Sequence, residues 1–433
     1  MKIVNWNKLT ESEKKVALLR PILSLENNLV FKTQEILNQA KLKGDEALFN
    51  FTKKFDGVVL NSLQVTDNEF EAALNEINPE DLEAIKFTKK QIETNQLAQI
   101  PAIKIIKTHD NQVICEIRPR PIDRVGLYIP GGSAPLVSTV LMLAIPAAIA
   151  NCPLKIICTP PNAAGKINSA ILVAAKLCGI EKVYKVGGAQ AIAAMAYGTK
   201  SIPKVDKIFG PGNAWVTEAK KQIAQDAMIS TSIDMPAGPS ELLMIADDNA
   251  NPDYVAADLL SQAEHGIDSQ VILIALSESF ALRVIEKINA QIEKLSRKNI
   301  AIESLKNGRI IISKTILEAI SISNIYAPEH LILQIDNPNQ YADQIQNSGA
   351  VFLGEFAPET VGDYVTGSNH VLPTSGYAKS YSGLSIKDFM KFINFQTVTR
   401  SGLKIIGPYA EKLASMEGLD AHQYAVSVRL NNI

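Results

Sequence analysis

Residues 125–132 read Val-Gly-Leu-Tyr-Ile-Pro-Gly-Gly, a short apolar run that ends in a glycine turn. The pattern recurs where Lys182–Val186 precedes Gly187-Gly188 and where Lys207–Phe209 precedes Gly210-Pro-Gly212. Each run has the length of a buried strand, and a helical segment follows each turn. Strands that alternate with helices at this spacing predict a doubly wound parallel sheet with helices on both faces.

A second series of apolar runs begins after residue 240, with helical segments between its members. Its predicted strands are Leu242–Ala246, Val271–Leu276, Arg309–Ile312, Leu331–Gln334 and Ala350–Leu353. The first 100 residues and the tail after residue 385 instead have helical character. We therefore predict an α/β fold with two doubly wound, incomplete Rossmann-like domains and small helical N- and C-terminal extensions.

Composition and charge argue against several classes of protein. The 433-residue chain is 46% hydrophobic, which is ample for a core, and its formal net charge is −2 at pH 7. Proteins that bind nucleic acid or anionic membrane surfaces carry a basic excess, so neither partner is expected. The uncharged stretch between Arg124 and Lys155 contains glycines, prolines and polar residues, which favours a loop and a buried helix over a membrane span.

The cysteines and the N-terminal residues indicate where the protein works. Four cysteines occur, none in a C-x-x-C spacing, which predicts a reducing compartment and no disulfide framework. The first residues, Met1-Lys-Ile-Val-Asn-Trp-Asn7, lack the apolar region of a signal peptide. We therefore expect a cytoplasmic protein.

Three glycine turns could bind phosphate. They are Pro130-Gly131-Gly132, Gly187-Gly188-Ala189-Gln190 and Gly210-Pro-Gly212-Asn213. Glycine lets backbone amides approach a ligand, and a helix N-terminus favours an anion. Because ligands sit at the carboxyl ends of parallel strands, the three turns should converge on one crevice. Ordinary βα-turn chemistry remains the alternative, since no G-x-G-x-x-G motif and no ribose-binding acid at the expected spacing occur.

Histidines beside other polar groups suggest a metal site. Only five histidines occur, and four of them lie in the last 170 residues. Asn251-Pro-Asp253 predicts the start of a helix that ends at His265, which places Gln262 on the same helical face three residues earlier. Asp363 and His422 could add a carboxylate and a second imidazole, and two nitrogen and two oxygen ligands suit Zn²⁺ or a similar divalent ion. Each histidine could instead lie on the surface or in the core.

Glu329-His330 is a candidate pair for proton transfer. It follows Ala327-Pro328 and precedes an apolar run, so both side chains could face one cleft from a loop. An acid and an imidazole with different pKa values can act as two proton-transfer groups. A solvated loop pair is the alternative. Asp363 with His370 and Glu417 with His422 are further acid–imidazole combinations.

Several blocks of sequence carry a resemblance. The most specific one runs from Ile233-Asp-Met-Pro-Ala-Gly-Pro-Ser-Glu-Leu242 through Asp258-Leu-Leu-Ser-Gln-Ala-Glu-His265. The others are Gly126-Leu-Tyr-Ile-Pro-Gly-Gly132, Gly187-Gly-Ala-Gln-Ala-Ile-Ala193, Gly210-Pro-Gly-Asn213, Ala327-Pro-Glu-His330, Ser368-Asn-His-Val-Leu-Pro-Thr374 and Ser382-Gly-Leu-Ser385. Together they closely resemble the histidinol dehydrogenase family. One residue departs from that pattern, because Trp215 stands where the family usually has tyrosine.

The resemblance implies an oxidation of L-histidinol to L-histidine through bound L-histidinaldehyde, with two NAD⁺, as the last step of histidine biosynthesis. It implies one zinc ion per subunit, with the ligands Gln262, His265, Asp363 and His422. It implies that Glu329 and His330 are the catalytic pair and that Tyr128, Gln190 and Asn213 contact NAD⁺. The substrate contacts that it implies are Ser240, Gln262, His265, His330, Asp363, His370, Glu417 and His422.

The resemblance also implies a domain-swapped homodimer, in which Glu417 and His422 complete the active site of the other subunit. The expected N-terminal helical extension covers residues 1–28. Residues 29–128 with 241–384 should form the first α/β domain, which carries most metal and catalytic residues, and residues 129–240 the second, NAD-binding domain. Residues 385–433 should form a helical segment for dimerisation. Two alternatives stay open from the residues alone. One is a metal-dependent hydrolase or lyase with Glu329-His330 as base, and the other is a non-catalytic binding protein with two lobes.

Overall fold

The computed structural model of the chain describes residues 1–21, 28–131, 135–236 and 238–433. Two parallel sheets form its framework. The last residue of the first glycine turn, Gly132, and Ser133 after it lie outside the described residues, as does Ala237 in the long block. The mixed α/β class that the alternation of strands and helices predicted is confirmed.

One parallel sheet has five strands in the order β6-β5-β4-β7-β8. Its strands are β4 (Arg124–Tyr128), β5 (Leu154–Thr159), β6 (Lys182–Lys185), β7 (Lys207–Phe209) and β8 (Ser232–Ile233). In the central strand, Leu127 pairs with Ile157 on one side and with Phe209 on the other. All three side chains are fully buried, because helices cover both faces of the sheet.

The other parallel sheet has six strands in the order β1-β11-β10-β9-β12-β13. Its strands are β1 (Lys2–Asn5), β9 (Glu241–Ala246), β10 (Gln270–Ala275), β11 (Arg309–Ile312), β12 (His330–Gln334) and β13 (Ala350–Leu353). The predicted strands after residue 240 are therefore present. The helical prediction for the N-terminal extension is wrong at residues 2–5, which form an edge strand that pairs with β11.

Helices connect and cover the strands. In chain order they are α1 (Glu11–Ala17), α2 (Leu29–Lys43), α3 (Asp45–Phe51), α4 (Asp67–Glu76), α5 (Pro79–Ala98), α6 (Val137–Ile149), α7 (Ser169–Leu177), α8 (Gly188–Tyr197), α9 (Ala214–Gln225), α10 (Pro252–Ala263), α11 (Glu278–Ile292), α12 (Lys298–Asn307), α13 (Ile316–Tyr326), α14 (Glu359–Tyr364), α15 (Arg400–Met416) and α16 (Asp420–Leu430). Among the described residues, no helix is long and apolar enough to cross a membrane.

The chain groups around the two sheets differently from the expected ranges. Helices α2 to α5, within residues 29–98, pack mainly against α6 to α9 of the five-stranded sheet. Strand β4, which ends at Tyr128, lies at the centre of the five-stranded sheet rather than in the other unit. The amphipathic pattern of a helix shows that it has a buried face but does not show which sheet covers that face.

A small antiparallel sheet replaces part of the predicted helical tail. Strands β2 (Lys104–Thr108), β3 (Val113–Pro121) and β14 (Met390–Val398) pair in the order β14-β3-β2, with Gln396 opposite Cys115. The prediction of helix from residue 385 is wrong over β14, and only α15 and α16 beyond it are α-helical. Pairing with a strand from a distant part of the chain outweighs local preference at this position.

Two stacked aromatic rings join this tail to the five-stranded sheet. The rings of Phe389 and Phe209 lie 4.0 Å apart between centroids, and both side chains are fully buried. The amide of Ile122 also donates to the carbonyl oxygen of Phe389 at 3.0 Å.

We predict that Phe389→Ala lowers the free energy of unfolding by about 3–5 kcal/mol, because it opens a cavity in a packed core. Phe87→Ala is the matched control, since the Phe87 side chain is 52% exposed, and its expected cost is below about 1 kcal/mol. Urea unfolding followed by circular dichroism measures both values. Equal losses for the two variants would show that the stacked pair does not anchor the tail.

Candidate active site and metal centre

Glu329 and His330 lie at the amino end of β12, and a single residue of the neighbouring strand holds both. The carboxylate Oε2 of Glu329 accepts a hydrogen bond from the backbone amide of Glu241 at 2.8 Å. The Nδ1 atom of His330 lies 3.1 Å from the backbone carbonyl oxygen of Glu241. The two side chains approach each other to 3.7 Å and are both buried, so the alternative of a solvated loop pair is wrong.

Arg20 supports this pair from behind. Its Nη2 donates to Oε2 of Glu241 and to the carbonyl oxygen of Tyr326, both at 2.9 Å. The backbone amide of Ser375 donates to the other carboxylate oxygen of Glu241 at 3.0 Å. Ala327, just before Pro328 and Glu329, has a φ of 55°, a left-handed conformation that costs a non-glycine residue energy. Arg20 therefore fixes a strained turn, and no sequence pattern marked it.

Two further carboxylates surround the imidazole of His330. Oε1 of Glu359 lies 3.4 Å from Nδ1, and Oδ1 of Asp363 lies 3.7 Å from Nε2. Both acids belong to α14, where a spacing of four places them on one helical face. Asp363 was predicted from the sequence and Glu359 was not, although the i, i+4 spacing of the two acids after Pro358 is a usable signal. We call Glu329, Glu359 and Asp363 the acidic cluster.

Burial and mutual charge shift the pKa values in this cluster. Burial raises the pKa of Glu329 to about 8, and it raises the pKa of Glu359 to about 8 as well. For His330, burial lowers the pKa, but the carboxylates of Glu359, Glu329 and Asp363 outweigh it and raise the pKa to about 10. The interaction with His330 also keeps the pKa of Asp363 below its ordinary value, although burial opposes this.

The residues predicted to bind metal meet at this cluster in part. Ligand atoms of His265, Glu359 and Asp363 all lie within 4.8 Å of one another. Helix α10 ends at Ala263, so the prediction that the helix extends to His265 is wrong by two residues, and His265 lies just beyond the helix. Gln262 is fully buried, and neither polar atom of its amide has a hydrogen-bond partner among the described residues.

This arrangement fits a divalent cation. A buried amide without partners is costly unless a ligand or an ion satisfies it. Oε2 of Glu359 and Nε2 of His330 are likewise buried without a partner among the described residues. Oxygen and imidazole donors converge here, and carboxylates, amide oxygen and imidazole are a donor set suited to Zn²⁺ and related ions.

Glu417 and His422 do not reach the site within one chain. Both residues are exposed, Glu417 at the end of α15 and His422 in α16. These two helices pack mainly on each other, beyond β14. His422 is absent from the group of close ligand atoms among the described residues. A single chain therefore brings together two of the four predicted ligand residues, His265 and Asp363, with Glu359 beside them.

His370 and Ser240 lie close to the cluster. The Nδ1 atom of His370 is 2.9 Å from the backbone oxygen of Asp363, and burial lowers the pKa of its imidazole. Ser240 immediately precedes Glu241, and its carbonyl oxygen accepts from the amide of Gln270 at 3.2 Å. The structure therefore places both predicted substrate contacts beside the acidic cluster.

The glycine turns converge on one cavity of about 580 Å³ at the carboxyl ends of the five-stranded sheet, as predicted. Tyr128, Gln190 and Asn213 all line it, together with Trp215. The hydroxyl of Tyr128 accepts from the amide of Gly188 at 3.0 Å, and burial raises the pKa of Tyr128 to about 12. The carboxamide oxygen of Asn213 caps the start of α9.

Glycine is required in these turns by close packing. A Cβ atom on Gly131 would lie 2.2 Å from the ring of Pro160, and one on Gly187 would lie 2.5 Å from it. Gly210 has a φ of 123°, and a Cβ atom there would meet the carbonyl oxygen of Tyr128 at 2.1 Å. The alternative of ordinary turn chemistry therefore accounts for the glycines, while the cavity between the turns supplies room for a ligand.

One segment links this cavity's sheet to the acidic cluster. The side chain of Asn369 donates to the carbonyl oxygen of Met142 in α6 at 2.8 Å. Nε2 of His370 lies 3.3 Å from Oγ1 of Thr139 on the same helix. Residues 369–375 thus contact α6 at one end and, through Ser375, Glu241 at the other. The two sites belong to one continuous framework.

Comparison with known proteins gives a consistent result. The sequence model of the histidinol dehydrogenase family matches residues 24–430. The histidinol dehydrogenase of Mannheimia succiniciproducens is 50% identical over 433 residues and covers 100% of both chains, and that of Bacteroides thetaiotaomicron is 49% identical over 416 residues, 96% of each chain. A crystal structure of histidinol dehydrogenase from Elizabethkingia anophelis superposes with a TM-score of 0.95 at 47% identity, over 100% of this chain and 98% of that one. The chain belongs to the histidinol dehydrogenase family.

Proposed function

We propose that this chain oxidises L-histidinol to L-histidine through bound L-histidinaldehyde, with NAD⁺ accepting a hydride in each of two steps, as the last reaction of histidine biosynthesis. The observation that carries the proposal is the attachment of Glu329 and His330 to the backbone of one residue, Glu241, beside side chains able to bind metal. Family membership supplies the substrate, and this geometry supplies the proton-transfer groups.

His330 is the base for the alcohol proton in this proposal. Its Nδ1 atom is held at 3.1 Å from the carbonyl of Glu241, which favours a proton on Nδ1. Its Nε2 atom has no partner among the described residues and points to the side of Asp363. When the imidazole is neutral, Nε2 can take a proton as hydride leaves the carbinol carbon in each oxidation.

Glu329 is the group that activates water for the aldehyde hydrate. Burial raises its pKa to about 8, so its carboxylate is a stronger base than an ordinary glutamate when it is ionised. The hydrogen bond from the amide of Glu241 fixes one of its oxygens and leaves the other for water. An acid and an imidazole 3.7 Å apart can thus divide the two proton transfers.

The described cysteines favour this water route over a covalent thiohemiacetal. Cys152, Cys158 and Cys178 are buried in the core, and burial raises the pKa of Cys152 to about 11 and that of Cys178 to about 12. Cys115 lies in β3 of the antiparallel sheet. None of the four lines the cavity between the glycine turns, and a thiol nucleophile would need to be accessible and ionised. Their free thiols also support a reducing, cytoplasmic setting.

Gln262, His265 and Asp363 are the residues of one chain that would hold one Zn²⁺ per subunit, and His422 of a second copy would complete the set. When bound, the ion would orient the amino alcohol, polarise its oxygen and offset the carboxylate charge that raises the pKa of His330. The exposed α15 and α16, remote from the site of their own chain, support a homodimer in which Glu417 and His422 cross to the other subunit. Tyr128, Gln190 and Asn213 would contact NAD⁺ in the cavity.

We expect the purified protein to form about two NADH for each histidinol consumed, because alcohol and aldehyde are oxidised in succession on the same enzyme. Absorbance at 340 nm with limiting histidinol measures this ratio. Glu329→Gln should lower kcat by about 10²–10⁴-fold with little change in the affinity for NAD⁺, as expected for loss of a proton-transfer group. A hydrolase, a lyase or a binding protein would form no NADH at all.

We expect about one zinc ion per chain, and His265→Ala or Asp363→Asn should lose it while the far-ultraviolet circular dichroism stays unchanged. The control is Glu264→Gln, which removes a neighbouring carboxylate outside the proposed ligand set. Metal analysis after dialysis measures the content. Glu359→Gln should retain zinc, because we assign Glu359 to His330; loss of zinc there would make Glu359 a ligand and require a different set.

We expect His422→Ala and His265→Ala each to be nearly inactive, and mixed dimers of the two to recover part of the activity. In a mixed dimer one of the two shared sites has all its ligands, so random mixing should restore about a quarter of wild-type activity when half of the dimers are mixed. Differently tagged variants, unfolded and refolded together, provide the sample. Full subunit exchange without recovery would mean that the site is not shared.

A further inference from the structure

The cavity between the glycine turns is lined by the carboxylate of Asp56, one oxygen of which is buried without a hydrogen-bond partner among the described residues. Asp56 is the last residue of a π-helical turn, Thr52–Asp56, which continues α3 and ends at Gly57 with a φ of 72°. It lines the cavity together with Tyr128 and Gln190. Its Oδ2 atom is sealed from solvent and has no hydrogen-bond donor among the described residues.

This carboxylate costs the folded protein free energy. Burial raises the pKa of Asp56 to about 6, and no cation or donor in the described parts of the chain offsets that effect. Tyr128 and Lys166 are the other titratable groups that line the cavity, and Lys53 and Lys54 are exposed on the same turn as Asp56. The ionised form is therefore held in a poorly hydrated position, which protein stability alone would not favour.

The rest of the cavity wall supplies a different chemistry. The side chains of Tyr128, Gln190, Asn213 and Lys166 can all donate hydrogen bonds, whereas Asp56 is the only carboxylate among the described lining residues. The carboxylate of Asp56 can only accept hydrogen bonds when it is ionised. It therefore suits a ligand with two neighbouring hydroxyl groups and would repel a phosphate. Dinucleotide enzymes use an acid for the ribose hydroxyls in this way.

The residue beside Asp56 indicates which of the two riboses of a dinucleotide would contact this carboxylate. Phe55 also lines the cavity, is 50% exposed, and stacks on Phe51 with a centroid distance of 5.6 Å. A half-exposed ring supported from behind offers a flat apolar face to a base. A base stacked on Phe55 would place its ribose beside Asp56, so these two residues suit the adenosine half of a dinucleotide.

We propose that Asp56 accepts hydrogen bonds from the adenosine ribose hydroxyls and thereby selects NAD⁺ over NADP⁺. The inference rests on the proposed use of NAD⁺ and deepens it. A 2′-phosphate in that position would place negative charge against the carboxylate in a partly dehydrated pocket, and it would remove one of the two hydroxyl donors. The residue comes from the helical region before the first glycine turn, so the usual spacing of a ribose-binding acid could not reveal it.

The test measures the binding of NAD⁺ and NADP⁺ in the absence of histidinol, so that no reaction takes place. Trp215 lines the same cavity, so its fluorescence reports dinucleotide binding, and the only other tryptophan, Trp6, is buried against the six-stranded sheet. We expect Asp56→Asn to raise the Kd for NAD⁺ about 10-fold, as for loss of a charged hydrogen bond, while the Kd for NADP⁺ stays the same or falls. The control Asp343→Asn removes the same charge at an exposed position away from the cavity and should change neither value.

A stability measurement separates this role from a structural one. The folded-state pKa of Asp56, about 6, lies above that of an unfolded aspartate, so its cost to the fold is fully present above pH 6 and fades as pH falls towards 4. Asp56→Asn should therefore raise the Tm of the unliganded protein at pH 8, and the gain should shrink at pH 5.

The outcomes are distinguishable. Weaker NAD⁺ binding together with a higher Tm supports the assignment. Unchanged NAD⁺ binding in Asp56→Asn, or an equal loss of NAD⁺ and NADP⁺ binding with a lower Tm, overturns it and leaves the proposed oxidation intact. Absence of NAD⁺ binding and of NADH formation by the wild-type protein would instead refute the proposed function itself.

Discussion

The hydrogen bonds made by Glu241 organise the whole site. Its amide holds the carboxylate of Glu329, its carbonyl faces Nδ1 of His330, and its side chain joins Arg20 to the amide of Ser375. Glu241 is the first residue of β9, which lies between β10 and β12; it pairs with Gln270 of β10, and the next residue, Leu242, pairs with His330 of β12. Because one residue of the sheet holds both Glu329 and His330, the sheet determines the distance between these two proposed proton-transfer groups.

The two sheets contribute opposite ends to function. In the five-stranded sheet the cavity lies at the carboxyl ends of the strands, where parallel sheets usually bind ligands. In the six-stranded sheet, Glu241 and His330 begin their strands, so the acidic cluster lies at the amino ends. Residues 369–375 contact both regions. This explains why the residues of the proposed active site come from a helix end, a strand start and α14, with no glycine turn among them.

Local patterns predicted the buried strands well, because short apolar runs bounded by turns have few other solutions. Strand β14 was missed because its partner, β3, lies far away in the sequence, and the short β1 was missed because it is an edge strand of four residues. The positions of Glu329, His330, His265 and Asp363 could be proposed from composition and resemblance. Arg20 and Asp56 could not, since their importance comes from tertiary contacts with residues distant in the chain. Glu359 was missed although its spacing to Asp363 was visible, because only the fold brings it beside His330.

The features that the sequence could not reveal share one property. Each of them raises the free energy of the folded protein when no ligand is bound. Ala327 is left-handed, the amide of Gln262 lacks partners among the described residues, and burial raises the pKa of Glu359. Such costs are tolerable only because fully buried strands on both sides over-determine the backbone at the site. A ligand that binds the folded state alone returns part of this free energy, in proportion to the logarithm of its concentration over its Kd. Substrate, cation and dinucleotide would thus stabilise the positions that folding leaves strained or without hydrogen-bond partners. The site would therefore favour a combination of ligands that satisfies all of these positions together.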